Sequence, residues 1–201
     1  MRSFVAVELD EACRQALWRA IEKLRPVVAG VRWVQPESLH LTLEFIGQLE
    51  EADLPRAVEC LEEAAGTVGP FVMTVSGLSG FPPRGTPRVI HVGLQEPTGA
   101  LKALQKAVED GLAERLHIPR EERPFAAHVT LARTKERRQC PPMEAIAAAL
   151  PVQDFGRVGV DSFVLMRSDL RPGGAVYTRV ESFRLRGPGA GGGGSAASGG
   201  G

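Results

Sequence analysis

Two rhythms of apolar residues run along this chain, and each marks a kind of element. Alternation of period two, the signature of a strand with one buried face, appears at residues 2–8, where Phe4 and Ala6 alternate against Val5 and Val7. Strand-like segments recur at 31–34, 38–46, 71–78, 88–94, 126–132, 158–166 and 175–185. Between them the apolar spacing changes to three and four, which gathers side chains on one side of a helix. Asp10 can cap the first such stretch, whose Cys13, Leu17, Ile21 and Leu24 end near Pro26. A second helix at 51–66 carries Leu54, Ala57, Val58 and Leu61 on one side. Thr98 can open a third with Leu101, Leu104, Val108 and Leu112, and a short fourth falls near 142–150. A loop rich in Pro and Gly joins two strands at 79–87. Long helices separated by strand pairs predict an α+β protein of two lobes, each an antiparallel sheet with helices outside. Residues 187–201 hold only Gly, Pro, Ala and Ser, cannot build a core, and read as a flexible tail.

Two of these strands carry the same tetrad, His40-Leu41-Thr42-Leu43 and His128-Val129-Thr130-Leu131. A strand sends residues i and i+2 to one face and those between them to the other. His40 and Thr42 therefore share a face, with Leu39, Leu41 and Leu43 opposite. His128 and Thr130 do the same against Ala127, Val129 and Leu131. One such pair would be an ordinary solvent-facing histidine. The same tetrad on two strands in equivalent halves describes the two sides of one cleft.

Composition narrows what that cleft can do. The chain has 201 residues, enough for one sizeable domain or two small lobes, and its 43% apolar content is ordinary for a globular protein. It has no apolar run of membrane-spanning length and no basic-then-apolar leader. Three separated cysteines give no disulfide framework, so a reducing cytoplasm is expected. Zero formal charge argues against gripping a long nucleic acid, although Arg133, Lys135, Arg137 and Arg138 follow directly on the second tetrad.

Metal chemistry needs His, Cys or carboxylates at short spacing, and no His-x-x-x-His is present. A serine nucleophile would want Gly-x-Ser-x-Gly; Ser76-Gly77-Leu78-Ser79-Gly80 lacks that spacing and reads as loop. Two facing imidazoles without a metal suit general acid–base catalysis, one neutral and one protonated near neutrality. The two threonine hydroxyls can donate to an anionic oxygen between the strands. Together these groups fit a phosphodiester attacked and released in line.

The paired tetrads resemble those of the two-histidine (2H) phosphoesterases, and their flanks resemble RNA 2′,3′-cyclic phosphodiesterases, also named 2′-5′ RNA ligases. The likeness runs through Arg2–Leu9, Arg32–Val34, His40–Gly47, Pro87–Val89, Pro124–Arg133, Met166–Ser168 and Gly174–Tyr177, with Ala126 and Ala127 where a proline is often found. It implies a bilobal pseudo-twofold fold over residues 1–186, two antiparallel sheets facing a central cleft, with the tail at 187–201 outside it. It also implies hydrolysis of RNA 2′,3′-cyclic phosphate ends to 2′-phosphomonoesters, and ATP-independent 2′-5′ ligation when an RNA hydroxyl replaces water. His128 would be the general base and His40 the general acid, Thr42 and Thr130 would hold phosphate oxygens, and Arg133 would contact phosphate or RNA. No metal or cofactor is implied, and the partner is an RNA 3′ end bound by a cytoplasmic monomer. Small cyclic nucleotides, ADP-ribose cyclic phosphate or 2′-5′ oligoadenylates are alternative substrates, and a non-catalytic nucleotide- or RNA-binding module is an alternative role.

Other residues receive plainer expectations. Strict alternation puts Arg133 on the face of Leu131, so the strand must end or bulge near Ala132 for Arg133 to enter the cleft. Phe45 shares the face of Leu39, Leu41 and Leu43 and is expected in the core, as is Phe125. Trp33 and Tyr177 could stack on a base, but core or rim packing suits both better. His91 is expected to be a partly exposed structural histidine. His117, shortly before Pro119, reads as a helix end or loop residue.

Overall fold

The structure, a computed structural model, describes residues 1–171 and 174–188. The elements follow the two rhythms. They are β1 (Arg2–Glu8), α1 (Glu11–Leu24), β2 (Val31–Trp33), β3 (His40–Gln48), α2 (Leu54–Ala65), β4 (Phe71–Phe81), β5 (Val89–Gln95), α3 (Ala100–Leu116), β6 (His128–Thr134), α4 (Met143–Ala148), β7 (Asp154–Val160), β8 (Ser162–Arg171) and β9 (Gly174–Arg184).

Helix α1 shows the local logic. Asp10 accepts a hydrogen bond from the Cys13 amide at 2.8 Å, satisfying one orphan donor of the first turn. Leu17, Ile21 and Leu24 are then wholly buried, each stabilising the fold by about 1.5–3 kcal/mol. Helix α3 begins differently from expectation. Gly99 holds the cap position at φ 85°, where a side chain would be strained, and the Glu96 carboxylate accepts from the Leu101 amide at 3.1 Å. His117 ends that helix in the left-handed region at φ 56°.

All strand pairs are antiparallel, in the order β7-β4-β5-β6-β3-β1-β8-β9, with β2 also on β6. The order is a mirror about β6 and β3, the two strands that carry the tetrads. Those strands share a single register pair, Leu41 with Val129, after which β2 takes the place of β3 beside Ala132–Thr134. The α+β architecture of two antiparallel halves thus arises from one nine-stranded sheet pinned at its centre.

The chain crosses between the halves. Helix α1 follows β1 yet packs against β7, while α2 packs on α3 and β9. One face of the sheet carries the large core under the helices, and the other carries a small cluster of Phe4, Ala6, Val164 and Met166 with Tyr177 against it. Two boundaries depart from the sequence reading. The expected strand at 158–166 is two strands broken at Asp161, and β4 runs on to Phe81 into the expected loop. The Gly187 amide donates to Val68 and the Gly69 amide to Pro188, so the tail expected from residue 187 starts with two anchored residues. The rest of that tail lies outside the described residues. Among the described residues, no helix is long and apolar enough to cross a membrane.

Candidate active site

Each tetrad histidine is fixed by the carbonyl two residues before it. His40 Nδ1 lies 2.8 Å from the Ser38 oxygen, and His128 Nδ1 lies 2.7 Å from the Ala126 oxygen. A carbonyl only accepts, so Nδ1 must be the N–H donor in both rings. Nε2 is then the nitrogen of each ring that could exchange a proton: a lone pair when the ring is neutral, a donor when it is protonated.

The two rings, with Thr42 and Thr130, line one cleft of about 530 Å³ whose walls also include Ser38, Phe45, Arg133 and Tyr177. A hollow of about 630 Å³ between α3 and the 121–127 segment is larger, yet none of the four tetrad His and Thr side chains lines it. The chemistry marks the smaller one.

Arg133 reaches the cleft by the route that strict alternation forbids. His91 pairs with Thr130 but Ile90 pairs with Ala132, so Leu131 is an extra residue on β6. The bulge leaves Leu131 and Ala132 both buried and returns Arg133 to the face of His128. The first tetrad repeats the device. Ala6 pairs with Thr42 and Val5 with Glu44, leaving Leu43 extra. Leu43 and Glu44 are both buried, and Phe45 turns to the cleft at 64% exposure. The core position expected for Phe45 is therefore wrong, because a bulge inverts the parity of everything beyond it. Arg133 and Phe45 occupy equivalent positions five residues after their histidines.

Each histidine rests on a wall of two rings. Phe4 stacks on His40 at 4.9 Å between centroids, and Tyr177 meets it edge-on at 5.2 Å. In the other half Phe81 meets His128 edge-on at 5.1 Å, and His91 lies 5.1 Å from it. Phe81 and His91 are themselves stacked at 4.2 Å. His91 is therefore not the partly exposed structural residue expected; it is 7% exposed, and neither ring nitrogen has a hydrogen-bond partner among the described residues. Burial, then the proximity of His128, lowers its pKa to about 4.

Burial lowers the pKa of His40 to about 4, with Arg133 and His128 pushing the same way against its bond to Ser38 and the charge of Glu8. Glu8, opposite His40 on β1, is held by Arg179 at 2.6 Å. Burial thus favours the neutral imidazole of His40. Behind β3, burial first and then Glu109 raise Glu44 to about 7.

The other sequence candidates sort themselves by place. Trp33, on β2, and Phe125 pack against the main core, and Tyr177 joins the cleft as part of the wall around His40. Arg137 lies outside the cleft, in a separate groove with Phe81 and Arg88. Arg2 and Ser168, which lie in segments that carry the family likeness but received no role from the sequence, also line the cleft. Among the described residues, no group of three His, Cys, Asp or Glu side chains is placed to hold a metal ion.

Comparison with known proteins places this geometry in a family. The model of the 2′-5′ RNA ligase superfamily matches residues 13–172. An RNA 2′,3′-cyclic phosphodiesterase of Thermus thermophilus is 40% identical over 192 residues, covering 93% of this chain and 91% of the relative. One of Archaeoglobus fulgidus is 36% identical over 183 residues, covering 91% and 99%. Among solved structures, TT0787 of Thermus thermophilus superposes with a TM-score of 0.78 at 36% identity, covering 93% of this chain and 99% of that one. LigT of E. coli complexed with 3′-AMP gives 0.74 at 25% identity, covering 92% and 97%.

Proposed function

The chain belongs to the 2′-5′ RNA ligase superfamily, and from that premise we propose that it hydrolyses RNA 2′,3′-cyclic phosphate ends to 2′-phosphomonoesters. One observation carries the reading: two imidazoles, each locked with Nδ1–H on a carbonyl, line a single cleft together with the threonine of their own tetrad. Water attacks phosphorus while His128 Nε2 takes its proton. The P–O3′ bond breaks, His40 Nε2 protonates O3′, and the phosphate stays on O2′. Thr42 and Thr130 donate to the non-bridging oxygens, and Arg133 adds a positive charge to the same cleft, where charge grows in the transition state. Phe45, mostly exposed at the rim, offers an aromatic face to the terminal base.

Acting as the acid, His40 needs a proton that its burial disfavours, and the anionic cyclic phosphate supplies the compensating charge. The same depression supports a second assignment, in which neutral His40 is the base and His128 the acid. That assignment places water on the His40 side and the leaving oxygen on the other. RNA ends are the substrate we assign, taken by a cytoplasmic monomer without metal or cofactor; three buried, unpaired cysteines suit a reducing compartment.

Product analysis tests the reading. Metal-free protein and a defined RNA with a terminal 2′,3′-cyclic phosphate should give a 2′-phosphate end at an unchanged rate in EDTA. A 3′-phosphate product, or no turnover, would overturn it.

A further inference from the structure

The cleft extends well past the four tetrad side chains, and its far end is built from residues that the proposed proton transfers do not use. Arg2, Phe45, Gly47, Ser168, Leu170 and Ala175 line that stretch. Strand register sets their order. Phe4, stacked on His40, pairs with Phe45, and the two rings lie 6.3 Å apart. Arg2 precedes Phe4 by two residues on the same face of β1, about 7 Å further out along the strand. Its neighbour on β8 is Ser168, because Ser3 pairs with Arg167 and the antiparallel register continues by one residue. Outward from His40 the cleft thus presents a ring and then a guanidinium.

That guanidinium is held in place by its backbone and left without a partner. The Met1 amino group donates to the Leu49 carbonyl, and the Leu49 amide donates to the Met1 carbonyl at 2.8 Å, so β1 is tied down one residue before Arg2. Among the described residues no carboxylate pairs with Arg2, whereas nearby Arg167 is taken by Asp169 at 3.0 Å. Arg133 is the cation that opposes protonation of His40, and it serves the phosphate. Arg2 is left for the nucleoside. Strand β1 separates β3 from β8, so Phe45 and Leu170 stand on strands about 10 Å apart. One flat base fits between such walls, with Arg2 on the floor between them. Phe45 and Leu170 are 64% and 72% exposed, apolar surface that a base would cover.

Resting on the proposed phosphodiesterase reading, which puts the cyclic phosphate between the two histidines, we propose that this end of the cleft reads the base of the terminal nucleotide and selects guanine. The arginine fork donates two parallel hydrogen bonds, and guanine presents two adjacent acceptors, O6 and N7. Adenine puts an amino donor beside N7, cytosine puts an amino donor at the same edge, and uracil offers a single carbonyl there. The Ser168 hydroxyl, beside Arg2, can donate a further bond to O6.

Short RNAs identical except for the 3′-terminal nucleoside, each ending in a 2′,3′-cyclic phosphate, test the assignment. The parent should cleave the guanosine end with a kcat/KM about 5- to 150-fold above the others, the discrimination that one bidentate pair supplies. Arg2→Gln should bring all four ends to within about threefold of one another, and Arg2→Lys should do the same, because an ammonium keeps the charge but not the fork. The loss on the guanosine end should sit in KM and not in kcat. A 7-deazaguanosine end, which lacks N7, should lose most of the advantage in the parent and nothing further in Arg2→Gln. A parent without base preference, or with preference for another base, would overturn the proposal. So would a guanine preference that survives Arg2→Gln. An equal loss on all four ends, restored by Arg2→Lys, would make Arg2 a charge for the RNA backbone and end its role as a base reader. A parent that cleaves none of the four would sink the phosphodiesterase reading itself, and the base subsite with it.

Discussion

Leu41 and Val129 form the one register pair between β3 and β6, and each is the residue between the histidine and the threonine of its tetrad. Continuing that antiparallel register by one residue sets His40 across from Thr130 and Thr42 across from His128. The local twofold relation of the halves therefore passes through two buried aliphatic side chains, both 0% exposed. Two imidazoles and two hydroxyls alternate around it, the set that the proposed in-line chemistry uses.

His40→Ala and His128→Ala should each lower kcat by about 10²–10⁴-fold, the range of a general acid or base. Binding of an RNA end should weaken less. Near-normal turnover in either folded variant would remove acid–base catalysis by that ring.

Arg133→Gln should move the limb of the kcat/KM pH profile that follows His40 to higher pH. The sign is set by charge: Arg133 disfavours the imidazolium, so its removal makes His40 easier to protonate. KM should rise in the same variant, because a phosphate contact is lost. A raised KM with an unmoved limb would leave Arg133 a binding role alone.

Stability should fall as pH drops from about 6.5 towards 4. His40 and His91 each bind a proton near 6.5 when unfolded but near 4 when folded, so the unfolded state takes up more protons in that window. Glu44 acts oppositely, holding its proton to about 7 when folded and to about 4.5 when not. Its contribution fades as pH rises through 7. Glu44→Gln should therefore raise Tm at pH 8, by a gain on the order of 1 kcal/mol, and do much less at pH 5. Thermal melts across pH measure both effects; a Glu44→Gln gain that is equal at pH 5 and pH 8 would contradict a charged, buried Glu44.

Phe45→Ala should leave Tm nearly unchanged, since the ring is 64% exposed. Loss of a stacked base is worth about 1–3 kcal/mol, so KM for a cyclic-phosphate RNA should rise by about 5- to 150-fold. A fall in Tm with an unchanged KM would make Phe45 a packing residue.

His91→Phe should be neutral or stabilising at pH 7, because it removes two buried nitrogens that lack partners while keeping a ring against Phe81 and His128. Acid loss of stability should also become shallower, as one depressed histidine is gone. Strong destabilisation at pH 7 would show that those nitrogens have partners in solution.

Within each tetrad, which residues share a face follows from the order of residues alone. Period-two alternation is enforced by strand geometry, so Leu39, Leu41 and Leu43 had to oppose His40 and Thr42, and the second tetrad had to copy the first. Helix stripes and the cap at Asp10 are equally local, and they too could be read from spacing. Beyond the tetrads, the pairing of strands takes over. A bulge is a relation between two strands, and neither β3 nor β6 carries a residue that announces the extra Leu43 or Leu131. Those bulges turned Phe45 out of the core and Arg133 into the cleft. The place of His91 against His128 likewise depends on the register of β5 against β6, which pairs residues far apart in sequence. The break at Asp161 depends on β7 and β8 pairing with different neighbours, β4 and β1. Alternation is a property of one strand and survives in the sequence; register belongs to pairs of strands and exists only once the chain has folded.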